Sequence, residues 1–294
     1  MNIDLNKYIP NKLPSAPGEL TLGDKLSPFM ESAKEWFEKW FCNLSLIAPP
    51  EENEDGDLED AEGALPEDDL LRKVPVNEMA MRIIVMEAYR MAVPQLDLVL
   101  TANGFATVDS KNVVPASKAR TDRLLEGLQE EIDRNIIVLL YRLRTIPEWL
   151  ESEQADFFRR TLFINPEATK YLKTPDALGI KSSWEIYLKL IPQIEELEDS
   201  LADEWFSPEL MMNLRKEMLS GEIEGVRKSV AIKIQNQVIA FFEKGDFKTR
   251  RLQEILNIIR YDNKNFPEWI NSETALAFYP PKFKNKKDSP GYFF

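Results

Sequence analysis

Histidine is absent from this chain and cysteine occurs once, as Cys42, so most nucleophilic and metal chemistry lacks its usual side chains. Without histidine there is no Ser-His-Asp or Cys-His nucleophile and no imidazole for general acid–base catalysis. The familiar zinc sites also need histidine or several cysteines. A single cysteine cannot form a disulfide within the chain, so nothing indicates an oxidising compartment. We therefore expect no catalytic residues and no cofactor.

Long apolar runs and a secretory signal are missing as well. The densest apolar run, residues 136–141, is far shorter than the roughly 20 residues that span a bilayer. The N-terminus lacks the basic segment and apolar core of a signal peptide. We expect a protein without membrane contact that stays in the cytosol, or in a structure assembled there.

Positive charge is in short supply, and phosphate-binding loops are missing. The 37 Lys and Arg residues face 50 Asp and Glu residues, which leaves a net charge of −13. A general nucleic-acid binder needs the opposite sign to displace counterions. No GxGxxG or Walker pattern occurs, so a nucleotide site is not expected either.

What the sequence does contain is a repeat. Eight of eighteen residues are identical between two segments that lie 120 positions apart. The two segments are YRLRTIPEWLESEQADFF, from Tyr141, and YDNKNFPEWINSETALAF, from Tyr261, which we call the first and second PEW segments. Apolar residues at helical spacing precede both. The repeat predicts a mainly α fold of two related multi-helix lobes, an internal duplication, with extended terminal arms and at most a short hairpin at Asn103-Gly104.

The PEW segments admit a structural and a catalytic interpretation. Proline at a first helical position, followed by glutamate, suits the start of a helix. Trp149 and Trp269 are then core side chains of the two lobes. The recurring glutamates could instead be catalytic carboxylates, but two carboxylates in copies of one lobe need not face each other.

The chain, at 294 residues, has room for two domains. The predicted order is an extended N-terminal arm (1–27), an amphipathic helix (28–47), an acidic flexible loop (48–74), a first helical lobe (75–172), a linker (173–182), a second helical lobe (183–279) and an extended C-terminal tail (280–294). In the helix 28–47, Trp36 and Trp40 belong to an apolar stripe at helical spacing. That stripe packs either on its own lobe or on a neighbouring subunit.

The acidic loop carries eleven acids and no base between Glu51 and Asp69, and such a run is most simply a solvated loop. It also resembles a calcium-binding loop in its spacing. The candidate ligands are Glu51, Asn53, Asp55, Glu59 and Glu62. Glutamate stands at the first position where aspartate is usual, and Pro49-Pro50 precludes an entering helix. The metal site therefore stays an alternative to the solvated loop.

The C-terminal tail, PPKFKNKKDSPGYFF, combines four lysines with aromatic side chains. Aromatic side chains are costly to leave in water, so Phe283, Tyr292, Phe293 and Phe294 are candidate contacts to another subunit. The lysines could meet the acidic loop of a neighbour. The alternative is that the tail folds back over its own second lobe.

Three segments together resemble a known family: VPQLDLVLTANGFATVDSKNVVPASKARTDRLL from Val93, DEWFSPELMMNLRKE from Asp203, and the tail. The chain is similar to uncharacterised proteins encoded in phages and prophages of Bacteroides and its relatives. The resemblance covers the chain from about residue 76 and implies a place near portal and capsid genes. Helical proteins of that neighbourhood are often head–tail adaptors, in rings commonly of about twelve copies.

The resemblance therefore implies a virion protein that is assembled in the host bacterial cytoplasm. The expected role is a head–tail adaptor or connector (neck) ring subunit that joins portal to tail. Its partners would be its own copies and the portal, tail or neck proteins, with DNA only passing through an acidic lumen. Another virion or assembly protein (minor capsid, tail-completion or scaffold-associated) is the alternative. A hydrolase that uses only carboxylates is a remote one, and would need two facing carboxylates roughly 5 to 9 Å apart.

Overall fold

The computed structural model describes residues 22–47, 74–96, 98–101, 104–107, 117–169, 172 and 180–280. The fold is mainly α. In chain order its elements are α1 (Leu22–Trp40), α2 (Val76–Leu96), β1 (Leu98–Thr101), β2 (Gly104–Thr107), α3 (Lys118–Leu143), α4 (Pro147–Leu150), α5 (Glu153–Phe158), α6 (Pro166–Thr169), α7 (Ser183–Leu201), a π-helical segment (Ala202–Phe206), α8 (Pro208–Ser220), α9 (Gly225–Lys244), α10 (Thr249–Tyr261), a 3₁₀ turn (Asn263–Asn265), α11 (Pro267–Ile270) and α12 (Glu273–Phe278).

The first helix corrects two predicted boundaries. It begins at Leu22, inside the predicted arm 1–27, and ends at Trp40 rather than at residue 47. Pro28 misled the prediction because proline usually marks the start of a helix. Here the apolar stripe begins before the proline: Leu26 is fully buried, as is Phe37 three turns later. Burial of that stripe outweighs the one backbone hydrogen bond that Pro28 removes.

The described residues form two compact units. The first contains the described residues up to Phe158, with residues 165–169 and 180–187. The second contains residues 159–164, Leu172 and the described residues from Leu188. These units differ from the predicted lobes, 75–172 and 183–279, in two ways. Residues 22–47 belong to the first unit, although the prediction left them outside the first lobe. Residues 159–164 belong to the second unit, although the prediction placed them in the first lobe.

In the first unit α2 packs between α1 and α3. Its central position explains why apolar residues surround it instead of forming one stripe. The buried apolar residues of this helix are Met79, Ala80, Met81, Ile83, Ile84, Val85, Met86, Ala88, Tyr89 and Ala92. The two strands after it pair as an antiparallel hairpin, with Leu98 opposite Thr107 and Thr101 opposite Gly104. The short hairpin predicted at this point of the chain is therefore present, and Gly104 begins its second strand.

In the second unit the π-helical segment contacts α8, α10 and α12. Directly after it, Ser207 is buried and has a φ of 67°, the positive-φ backbone that L residues rarely adopt. Its side chain accepts a hydrogen bond from the Leu210 backbone N–H and so caps α8. The widened turn and the cap together let the chain reverse direction between α7 and α8.

Among all the helices described, none has the length and apolarity to cross a membrane.

Candidate functional site

The repeated tryptophans occupy equivalent positions in the two units. Trp149 is fully buried, and its indole Nε1 donates to the carbonyl of Phe41 at 2.6 Å, immediately after the end of α1. Trp269 is also buried, and its Nε1 donates to the carbonyl of Trp205 at 3.0 Å, in the π-helical segment after α7. Each indole thus satisfies a backbone carbonyl at the end of a helix that comes earlier in the chain. The tryptophan is a core side chain in both copies.

The serine of each PEW segment makes the same pair of hydrogen bonds. The Ser152 hydroxyl donates to the Trp149 carbonyl and accepts from the Ala155 N–H. The Ser272 hydroxyl donates to the carbonyl of Trp269 and accepts from the N–H of Ala275. The two segments therefore share their local structure: a four-residue helix, a serine turn and a six-residue helix. A duplication of whole lobes stays a prediction.

The two copies differ at the glutamate of the motif. Glu148 is exposed, whereas Glu268 accepts hydrogen bonds from Arg227 at 3.0 Å and from Asn213 at 2.9 Å. Arg227 also pairs with Glu217 and lies over the ring of Phe266. Burial raises the pKa of Glu268, but the donors of Arg227 and Asn213 outweigh burial and lower the pKa overall. Glu268 therefore stays charged at neutral pH and ties α11 to α8 and α9, which is not the state of a proton donor.

The predicted contact residues Trp36 and Trp40 are half-buried and touch other aromatic rings of the first unit. Trp36 packs edge-on against Phe41, with ring centroids 5.5 Å apart. Trp40 packs against Phe157 at 5.3 Å and against Trp184 at 5.8 Å. The aromatic stripe of α1 is thus part of the core of its own unit, the first of the two interpretations.

Residues 159–164 are held in the second unit by a buried carboxylate. Glu198, on α7, is fully buried and accepts the Leu162 backbone N–H at 3.0 Å. Arg215, on α8, pairs with the same carboxylate at 2.9 Å. Burial raises the pKa of Glu198 to about 7, although Arg215 and the Leu162 N–H act in the opposite direction. This anchor was not visible in the sequence, because its members come from three segments with no shared motif.

The same short segment is fixed at two further points. The Gln235 amide, on α9, donates to the Leu162 carbonyl at 2.8 Å. Arg160 pairs with Glu195 on α7, its Nε 3.0 Å from the carboxylate. Both backbone polar groups of Leu162 are therefore satisfied by side chains of the second unit.

Exposed apolar side chains are distributed unevenly. Within the described part of the chain, every large hydrophobic side chain that is well exposed belongs to the second unit. These are Met212, Ile232, Tyr261, Ile270 and Leu276. They lie on elements that form a connected series: α8 touches α9 and α11, α9 touches α10, and α11 touches α12. The residue of the first PEW segment that aligns with Leu276 is Asp156, which is exposed and charged. At this position, therefore, only the second copy presents an apolar side chain.

A small open depression lies between α9 and α10. Its volume is about 150 Å³, and it is lined by Lys233, Asn236, Gln237, Arg251, Glu254 and Ile255. Sites for drug-sized ligands are usually about 300–1,000 Å³. The depression is too small, and too evenly mixed in charge, to indicate a substrate class.

The remaining predicted site residues lie outside the described residues. They are the calcium-loop candidates Glu51, Asn53, Asp55, Glu59 and Glu62, and the tail residues Phe283, Tyr292, Phe293 and Phe294. Where the chain is described, no three His, Cys, Asp or Glu side chains group as metal ligands.

Comparison with known protein families matches part of the chain. The profile of a family of unknown function (DUF6712) matches residues 51–159. This stretch is less than half of the chain; it begins with the acidic segment and ends just after α5, with the first PEW segment inside it. No curated protein matches the chain, and no solved structure matches it.

Proposed function

We propose that this chain is a non-enzymatic structural protein of a phage virion, a head–tail adaptor or neck subunit that forms a ring with its own copies. The expectation comes from the resemblance of three sequence segments to phage and prophage proteins. The observation that carries it further is the one-sided distribution of exposed apolar side chains, all five of which lie in the second unit.

A ring requires a heterologous contact, in which two different surfaces of the same subunit meet. A surface that is apolar on one unit only suits that arrangement, since each copy then offers one acceptor face to the next. Isolated exposed apolar residues are ordinary, but several on connected elements of one unit favour an interaction surface. In this proposal the exposed side chains of Leu276 and Met212 are covered by the neighbouring subunit.

The hydrolase alternative is weakened because Glu268, the most buried of the recurring glutamates, is not suited to act as a general acid. Its carboxylate is committed to Arg227 and Asn213. A general acid needs a raised pKa, whereas the pKa of this group is lowered.

The test is the solution mass of the full-length chain, measured by light scattering, beside a chain that ends after Pro281. A ring of about twelve copies predicts a mass near twelve times the 34.0 kDa of one subunit. We expect the truncated chain to lose that mass if the tail joins neighbouring copies. A full-length protein that stays monomeric at all accessible concentrations would contradict self-assembly.

A matched pair of variants tests the apolar face itself. Leu276→Glu adds one negative charge at a side chain that is 52% exposed, so it should not disturb folding. Gln253→Glu adds the same charge at another exposed position of the second unit. The proposal expects the first variant to dissociate the oligomer and the second to leave it intact. Equal behaviour of the two would show that the Leu276 surface is not the contact.

A further inference from the structure

The repeat extends beyond the end of the PEW segments. Asn165 lies 24 residues after Tyr141, and Asn285 lies 24 residues after Tyr261. Two residues before each asparagine is a phenylalanine, Phe163 or Phe283, again in register. Between Phe158 and Asn165 no other position is identical to its counterpart in the second copy.

In the first copy the asparagine has a defined task. The Asn165 side-chain amide donates to the Tyr141 hydroxyl at 3.0 Å, which fastens the residues after the first PEW segment onto α3. Its side-chain carbonyl accepts the backbone N–H of Glu167 at 2.9 Å and so begins α6. As a result Tyr141 is half-buried, with Arg144 over its ring at 4.7 Å.

In the second copy the tyrosine has no such cover from the described residues. Tyr261, at the end of α10, is 85% exposed, the highest value among the large apolar side chains described. The second copy also leaves Phe278 only partly buried, whereas its counterpart Phe158 is fully buried. The described chain ends at Pro280, immediately after α12, so the residues in register with 161–169 are 281–289.

We propose that residues 281–289 dock on their own second unit over the exposed end of α10, with the Asn285 amide donating to the Tyr261 hydroxyl. The equal spacing of 24 residues allows the second asparagine to reach its tyrosine along the same chain, as the first does. A side-chain amide and a phenol hydroxyl are a matched donor and acceptor. The inference concerns one chain and does not depend on the ring.

The proposal limits how far the aromatic residues at the end of the tail can reach. From Asn285 to Tyr292 is seven residues, which span at most about 25 Å when fully extended. If the function proposed above is also correct, the surface that receives Tyr292, Phe293 and Phe294 lies within that reach of Tyr261. In that case the four lysines of the tail also lie beside α10.

Cysteine cross-linking in the full-length protein tests the docking. The double variant Tyr261→Cys/Asn285→Cys is treated with a bismaleimide of about 8–10 Å span, since the paired side chains hold their Cα atoms further apart than the roughly 4.4–6.8 Å of a disulfide. The native Cys42 is fully buried and does not compete. Tyr141→Cys/Asn165→Cys calibrates the yield on a contact already seen.

We expect a 261–285 cross-link within one chain, at a yield within about twofold of the calibration pair and unchanged by tenfold dilution, as befits an intramolecular reaction. The control Tyr261→Cys/Ser289→Cys, four residues out of register, should cross-link several-fold less. A product that joins two chains and falls with dilution would overturn the proposal, because the tail would then belong to a neighbour. Absence of any 261–285 product, with the calibration pair reactive, would overturn it too.

Failure here is distinguishable from failure of the ring. A cross-link within a monomeric protein supports the docking and contradicts the oligomer. An intact oligomer without the cross-link supports the ring and contradicts the docking.

Discussion

Glu198 shows how one buried carboxylate can organise several segments. It has no exposed surface, and it joins residues 159–164 to α7 and α8 through the Leu162 N–H and Arg215. Removal of a carboxylate from water costs free energy that such partners repay only in part. The net result is a pKa of about 7, well above the usual 4.5 of a glutamate.

The raised pKa of Glu198 makes stability depend on pH. Because the folded-state pKa exceeds the unfolded one, the folded protein retains the proton more tightly between pH 4.5 and 7. The contribution of Glu198 to the free energy of unfolding is therefore fully present below pH 4.5 and is lost as the pH rises through 7. At about 1.4 kcal/mol per unit the loss is about 3 kcal/mol.

Urea unfolding of the wild-type protein and Glu198→Gln at pH 5 and pH 8 measures this dependence. The glutamine keeps an acceptor for the Leu162 N–H but cannot ionise, so we expect it to cost distinctly less at pH 8 than at pH 5. Asp199→Asn, which removes the other and exposed partner of Arg215, should retain the wild-type difference between the two pH values. Parallel pH profiles for wild type and Glu198→Gln would refute the assignment.

Cys42 is predicted to be unreactive in the folded protein. It is fully buried, and burial, with a smaller contribution from Glu38, raises its pKa to about 12. The thiolate is the reactive form, so its population at neutral pH is very small. Alkylation by iodoacetamide, followed by mass spectrometry, should modify Cys42 in urea but not in buffer. Equal rates in both would show that the aromatic core around it opens freely.

At the scale of elements, the repeated tryptophan is the clearest case of sequence that predicts structure. Proline, tryptophan and serine at fixed spacing produce the same two short helices and the same hydrogen bonds in both copies. The acceptors could not be predicted, because Phe41 and Trp205 lie 108 and 64 residues before their tryptophans. Local pattern identifies the donor, whereas only the assembled core identifies the carbonyl it meets.

Replacement of either tryptophan by phenylalanine leaves that carbonyl without its donor. The loss is about 1–3 kcal/mol for an unsatisfied buried group, with a further cost for the smaller ring. We expect Trp149→Phe and Trp269→Phe to lower the free energy of unfolding by similar amounts in chemical denaturation. Trp36→Phe, at a half-exposed ring, should cost less than about 1 kcal/mol. A Trp269→Phe variant as stable as wild type would show that the two copies are not equivalent.

Ser207 combines a helix cap with strained backbone, and two substitutions separate the effects. Ser207→Ala removes the hydroxyl that caps α8 but keeps a Cβ at φ 67°, so it should cost about 1 kcal/mol. Ser207→Gly also loses the cap but relieves the positive φ, so it should cost less. Thermal or urea unfolding of the pair gives the order. A glycine variant less stable than the alanine variant would contradict the account of the turn.

At the scale of the molecule, the sequence predicts the helical class and the local repeat better than the borders of the units. Pro28 led to a late start for α1, because local pattern could not show that Leu26 is buried. Residues 159–164 were placed with the first lobe, since nothing local reveals the bonds from Leu162 to Glu198 and Gln235. The exposure of Tyr261 could not be predicted from the sequence either. Its counterpart Tyr141 is covered by contacts with residues such as Asn165, and such contacts are not evident from a local pattern.

Electron microscopy of the purified full-length protein tests the central claim, assembly into a ring, most directly. Class averages should show closed rings with rotational symmetry and a central lumen, and the Leu276→Glu variant should show only single particles. A heterologous contact through the second unit predicts this outcome, because every copy then binds the next in the same way. Two-fold dimers or monomers in the wild-type images would contradict it.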